Sequence, residues 1–213
     1  MTNVFAQLMV PAEVDGRFYG VGIGVVTNNK DPDGLGRVKL KLPWMADDVE
    51  SNWARIATLM AGAGRGCFFL PEVDDEVLLA FEHGNPEFPY VLGGLWNGKD
   101  KPPESNSDGK NNVRMIKSRS GHVIRLTDTN GSEQIEIIDK STKNSIVIST
   151  KDNKITIAAD ADIVIRSTNG KLQLSGKGVE INSKADVKIE ATTNLAVQAK
   201  AQLNLKGQLV NIN

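Results

Sequence analysis

The acidic and glycine-rich clusters of this chain are where chemistry would be sought first. Asp31-Pro-Asp-Gly-Leu-Gly36 sets two carboxylates two residues apart on a glycine turn, which is how a calcium-binding loop begins. Such a loop needs further oxygen ligands and a Glu near its twelfth position; Leu42 stands there. A plain turn is expected instead. Gly62-Ala-Gly-Arg-Gly66 offers backbone N–H groups of the kind that cradle phosphate, but it lacks the Gly-Lys-Ser/Thr ending and no helical period follows. It reads as a surface β-loop. Asp74, Asp75 and Glu76 put acids side by side, yet they sit in a turn beside a strand, where such charges are normally solvated. His83 and His122 are far apart, and Cys67 is the single cysteine. Neither zinc-ligand spacing nor a nucleophile signature is present. Cys67 beside Phe68 and Phe69 reads as a small buried hydrophobe. No catalytic residue, cofactor or metal ligand is assigned, and the chain is expected not to be an enzyme.

Nucleic acid is not an expected partner either. Lys and Arg number 25 against 26 Asp and Glu, a net charge of -1, so no global field draws a polyanion. Binding single strands needs a basic groove with stacking aromatics. Phe68, Phe69 and Phe81 lie in apolar strand contexts that suggest core, and Lys39 and Lys41 alternate on what reads as an ordinary solvent face. One cysteine excludes an intrachain disulfide. The apolar runs are too short to span a bilayer, and Met1 to Val10 lacks the basic region of a signal peptide.

The elements carry the information that the isolated groups lack. From Ile146 to Ile212 an apolar pair recurs: Ile146-x-Ile148, Ile155-x-Ile157, Ile163-x-Ile165, Leu172-x-Leu174, Val179-x-Ile181, Val187-x-Ile189, Leu195-x-Val197, Leu203-x-Leu205 and Val210-x-Ile212. Successive pairs start 9, 8, 9, 7, 8, 8, 8 and 7 residues apart. Apolar residues at i and i+2 follow the strand period, and a short fixed repeat marks a stacked architecture. Composition changes with the pattern. All eight prolines lie at or before Pro103 and all eleven aromatics at or before Trp96; from Val113 onward there is no Pro, Trp, Tyr, Phe or Cys. The second half thus has a thin aliphatic core and no breaker of a strand ladder.

Two small aliphatics per octad offset only a fraction of the conformational entropy of ordering eight residues. Single-chain β-helices use longer coils, so several chains winding together are expected, three being the natural number for a triangular prism. Ile148, Ile157, Ile165, Leu174, Ile181, Ile189, Val197 and Leu205 are the positions expected to face the shared axis. Leu209, Val210, Ile212 and Asn213 are expected to form a tip that binds a partner.

The first half reads as short strands. Tyr19–Val26 is glycine-rich, which suggests bulges or tight curvature. Arg37–Leu42, Trp53–Ala57, Cys67–Leu70, Glu76–Phe81 and Tyr90–Gly93 follow, separated by turn signals, as in a small β-barrel. Residues 1–16 form an extension, 17–98 the barrel and 99–112 a polar linker. Transition strands at a period of about 11 residues occupy 113–145, with a hairpin turn at Asp128–Gly131, and the repeat occupies 146–213.

Several stretches together resemble the central spike of contractile injection systems, the phage baseplate assembly protein V and the spike part of VgrG proteins. They are Gly20-Val-Gly-Ile-Gly-Val-Val26, Asp33-Gly-Leu-Gly-Arg-Val38, Leu70-Pro-Glu-Val-Asp-Asp-Glu-Val77 with Phe81-Glu-His-Gly-Asn85, and Tyr90-Val-Leu-Gly-Gly-Leu-Trp-Asn97. Lys117-Ser-Arg-Ser-Gly-His122, running on to Ile135-Glu-Ile137, is similar to the family's approach to the spike. The resemblance covers about residues 17–213. It implies an all-β protein, an OB-fold barrel followed by an intertwined trimeric β-helix, acting as a membrane-puncturing spike. It also implies a separate hub protein at the barrel, since no hub precedes it, a PAAR-like tip protein at the C-terminus, and transient contact with a target membrane. Assembly in the cytoplasm as part of an injection particle or virion is expected. The repeat has no histidine after His122 to build a metal-bound apex. A trimeric receptor-binding fibre or carbohydrate-active tailspike is the alternative; it would want acids and aromatics along the repeat, and the aromatics are missing.

Overall fold

The structure is a computed structural model that describes residues 16–45 and 50–211. The described residues are all-β apart from one 3-10 turn at Glu82–Gly84. Two compact units are delimited, residues 1–160 and 161–213.

The first unit opens with β1 (Gly22–Asn28), β2 (Lys39–Lys41), β3 (Arg55–Ile56), β4 (Ala61–Gly62), β5 (Arg65–Gly66), β6 (Glu76–Phe81) and β7 (Pro89–Gly94). Five of these form one sheet in the order β2-β1-β6-β7-β3, antiparallel except for the β3–β7 pair. The Val38 and Ala54 backbones exchange hydrogen bonds of 3.0 and 2.7 Å, which joins the two ends of that order. A sheet joined to itself has no open edge there and is a barrel. Its core is Val26, Val38, Leu40, Leu42, Ala54, Val77, Leu79, Phe81 and Val91, with Phe18, Ile56 and Leu70 packed against it. Alternation along β6 is complete: Val77, Leu79 and Phe81 face in. The glycines of β1 permit close approach. A Cβ on Gly24 would stand 2.7 Å from Leu79 Cδ1, so a larger residue there would force the buried Leu79 side chain to shift. The bulge expected in β1 appears as a register shift between Val26 and Asn28.

Several expectations change. β1 starts at Gly22, not Tyr19, because Phe18 leaves the ladder to stack on Trp44 at 5.0 Å between ring centroids. The surface β-loop read at Gly62–Gly66 takes the form of a small exposed hairpin, β4 against β5, with Gly64 at φ 63 in its turn. Cys67–Leu70 is not a strand, and Phe68 and Phe69 are 78% and 69% exposed, against the expectation of core. The physical reason is that the barrel closes without them: Cys67 N–H donates to the Met60 carbonyl and Thr58 Oγ1 to the Cys67 carbonyl, so this stretch belongs to an outer flap. Cys67 itself is half-buried.

After the linker come β8 (Val113–Lys117), β9 (Val123–Thr127), β10 (Gln134–Ile138), β11 (Ser145–Ser149) and β12 (Lys154–Ala158). They form a second five-stranded sheet in chain order, antiparallel throughout. The turn at Asp128–Gly131 joins β9 to β10 as expected. The first two apolar pairs of the repeat therefore lie in this meander, as β11 and β12. In the second unit no strand is formed within the chain among the described residues 161–211, and every one of them is exposed.

Candidate functional site

The acidic and glycine clusters resolve into local structure. Asp31 accepts hydrogen bonds from the backbone N–H groups of Asp33, Leu35 and Arg37, and from Arg37 Nε and a terminal guanidinium nitrogen at 2.8 and 2.7 Å. The Arg37 guanidinium holds the Asp31 carboxyl well below the usual carboxylate range, and the three N–H groups add to it. The carboxylate is thereby committed to the turn, and Arg37 fills the place a cation would need. Asp74 takes φ 76 in the turn before β6, and Asp75 accepts the Glu72 N–H at 2.8 Å. His122 Nδ1 accepts the Lys140 N–H at 3.3 Å, and His83 takes φ 49 in the 3-10 turn. Among the described residues no group of three or more His, Cys, Asp or Glu is placed to hold a metal ion. Lys39 bonds Glu50 at 2.6 Å and lies over the Trp53 ring. Hydrogen bonds from Lys39 and Thr27 lower the Glu50 pKa.

The feature that stands out is one face of the meander. Register places Ile116, Ile124, Ile137, Ile146 and Ile157 opposite one another across all five strands. A second row runs Arg114, Leu126, Ile135, Ile148 and Ile155. Since side chains alternate along a strand, both rows lie on the same face. The aliphatic members are all exposed, from 40% at Ile148 to 67% at Ile155. A groove of about 510 Å³ follows the first row.

The opposite face is mixed and better covered. Met115, Arg125, Glu136, Val147 and Thr156 form its central row. Glu136 is buried at 7% exposure and accepts from Arg125 Nε at 2.7 Å. That bond raises the Arg125 pKa, and the charge of Glu104 in the linker adds to it. The sheet thus shelters a charge pair on one side and leaves ten positions, nine of them Ile or Leu, bare on the other. This inverts the usual distribution, in which apolar residues are covered first.

The expected axis residues fall as follows. Ile148 lies in the second row and Ile157 in the first. Ile165, Leu174, Ile181, Ile189, Val197 and Leu205 are exposed in the second unit, as are Leu209 and Val210 of the expected tip. Ile212 and Asn213 lie outside the described residues. Both members of the Ile146/Ile148 and Ile155/Ile157 pairs share the bare face, so the first members belong with the second. Sequence reasoning passed over Ile116, Ile124, Leu126, Ile135 and Ile137. The i, i+2 pairs were there to be read, at a wider spacing than eight.

Residues 22–96, which span the barrel, match the type VI secretion system/phage-baseplate injector OB domain family. They are an injector OB domain. The chain is similar to the type VI secretion system spike protein VgrG3 of Vibrio cholerae serotype O1, at 29% identity over 131 residues, 58% of this chain and 13% of that protein. The type VI secretion system spike protein VgrG5 of Pseudomonas aeruginosa is 34% identical over 112 residues, 48% of this chain and 14% of that one. The actin cross-linking toxin VgrG1 of Vibrio cholerae serotype O1 is 27% identical over 131 residues, 58% of this chain and 12% of that one. The chain therefore spans a small part of the length of the curated relatives it matches. No helix among the described residues is long and apolar enough to cross a membrane.

Proposed function

We propose that this chain is the structural central spike of a contractile injection machine, with three copies wound about one axis. The observation that carries the reading is the aliphatic surface that the chain leaves uncovered: the two meander rows, and the exposed pairs from Ile163 to Leu205. Exposed apolar surface on this scale marks an interface. In a threefold prism each chain supplies strands to its neighbours, which satisfies the ladders and removes lateral edges. Such a prism resists bending and concentrates contraction force at its tip, so the role is mechanical and not catalytic.

The injector OB domain is the part we assign to a separate hub protein, and Leu59, Met60, Phe68 and Phe69 are among its exposed apolar residues. Leu209 and Val210, exposed in the second unit, are assigned to a PAAR-like tip protein. Contact with a target membrane is transient in this scheme. The fibre or tailspike alternative has no supporting observation, since residues 113–213 carry no aromatic for sugar stacking. Native mass spectrometry tests the reading directly. It should give three times 23.0 kDa; a stable, folded 23.0 kDa monomer would sink it.

A further inference from the structure

The stretch between barrel and meander is polar and rich in Pro, Asn, Ser and Gly, the composition of a loose tether. Its hydrogen bonds are not those of a tether. Asn97 Oδ1 accepts the Lys99 and Asp100 N–H groups at 2.8 and 2.7 Å. Glu104 Oε1 accepts the Ser105 N–H at 2.9 Å. Asn106, at φ 47, accepts the Gly109 N–H with its carbonyl and the Asn111 N–H with its side chain, the latter at 2.6 Å. Asp108 accepts the Lys110 N–H, and the Asn112 carbonyl accepts the Asp128 N–H at the end of β9. Short polar side chains that bind nearby backbone N–H groups fix the course of a chain. Pro102 and Pro103 stiffen it further.

A second connection runs beside the chain. Arg119, in the β8–β9 turn, meets Glu72, in the turn before β6, at 3.0 Å. Both ends stand on tied turns. Asp75 holds the Glu72 N–H. The Ser118 N–H donates to the His122 carbonyl, and Ser118 Oγ accepts the His122 N–H. The Arg119 and Glu72 side chains are 81% and 50% exposed, and such a pair adds little to folding stability. Its leverage is geometric. Two bodies joined at one point swivel in every direction; a second point, here 47 residues apart in sequence, leaves a single axis. The charge of Glu104 also reaches Arg125 beside the buried Glu136, which puts the linker close to the mixed face of the meander.

We propose that the tied linker and the Glu72–Arg119 strut brace the barrel against the meander, as a joint that holds one orientation at low salt and yields when the strut is screened. The brace stands on contacts within one chain. Its use rests on the spike reading above: a push on the barrel reaches the strands beyond it only if the connection between them does not buckle.

The test uses the full chain with Cys67→Ser, Lys30→Cys and Lys151→Cys, the last two at exposed positions on either side of the joint. The chain is spin-labelled and co-assembled with excess unlabelled chain, so that pulsed electron paramagnetic resonance reads distances within one chain. The parent should give one narrow distance in dilute buffer and a broad distribution near about 1 M salt, where exposed charges are screened. Arg119→Ser and Glu72→Gln should each give the broad distribution at either salt. Glu72→Arg with Arg119→Glu should restore the narrow one. Asn106→Ala, in the linker, should broaden the distance and speed hydrogen exchange at Asn111. Lys143→Ser breaks the exposed Lys143–Asp160 pair and is the control, expected to change nothing. Strut or linker variants that keep the narrow distance overturn the proposal. So does a parent already broad in dilute buffer, or a control that broadens as the strut variants do. None of these results depends on how many chains assemble, which the mass measurement decides, so failure of the brace and failure of the trimeric reading are distinct.

Discussion

Asp31 shows how much one side chain can fix. It gathers three backbone N–H groups and the Arg37 fork, and its side chain is only 3% exposed. Its folded pKa lies below the ordinary carboxylate value, near 3.9 in an unfolded chain. The sign follows. Above that ordinary value both states are ionised and the stabilisation is complete; as pH falls through it, only the unfolded chain takes up a proton, and stability is lost. Asp31→Asn should therefore lower thermal stability at neutral pH, and the gap to the parent should narrow on acidification from about pH 5. A gap that widens in acid would show that the carboxylate is not the source. Gly24 is the second informative residue. Gly24→Ala drives a methyl into Leu79 Cδ1 at 2.7 Å. The expected cost is about 1–3 kcal/mol, read as a lower urea midpoint with an unchanged slope. The turn at Asp31 was legible in the sequence because Asp-Pro-Asp-Gly has few other uses. The exposure of Phe68 and Phe69 was not, since an apolar run does not say whether the barrel has already closed without it.

Strands and their periods were the most legible layer. The i, i+2 pairs name a face wherever they occur, and Ile146, Ile148, Ile155 and Ile157 all share one. The structure adds pairing. Antiparallel register ties the pairs of β9 and β10 to those of β11 and β12, so the apolar face begins well before the octads do. The wider spacing of about 11 residues hid this, because turns of unequal length separate strands of equal kind. In the repeat, Ile165→Asp tests the assignment of an axis position. In a closed prism it would set three carboxylates together among aliphatics, a cost on the order of several kcal/mol for each, so assembly should fail or the distal repeat should fray. Lys188→Ala is the control. Lys188 meets Glu190 at 2.6 Å with both side chains largely exposed, and such pairs contribute little. Normal trimer yield from Ile165→Asp would mean the residue faces outward.

At the scale of the molecule, the change in composition near Val113 separated an aromatic-rich barrel from an aliphatic remainder, and the structure places the first strand of the meander at that same residue. The count of chains was beyond reach of the sequence alone, because a period fixes what repeats and not how many copies close the ring. The tip is tested on the whole protein. Removing Gln208–Asn213 should leave the trimer mass at three shortened chains and abolish capture of a PAAR-like protein in a co-purification. Capture that survives the deletion would place the tip partner elsewhere.

The bare isoleucine rows also bear on manufacture. A polypeptide is made from its N-terminus, so β8–β12 are synthesised before residues 161–213. Through that interval a finished sheet shows solvent its most adhesive side. Neighbouring ribosomes on one message hold sister chains at high local concentration and nearly the same stage of growth. Pairing of nascent sheets on the polysome shortens the exposure, and a dilute pool of released subunits lengthens it. Yield of this protein should accordingly depend on how densely its message is loaded, more than on how long the finished chains are left to find each other.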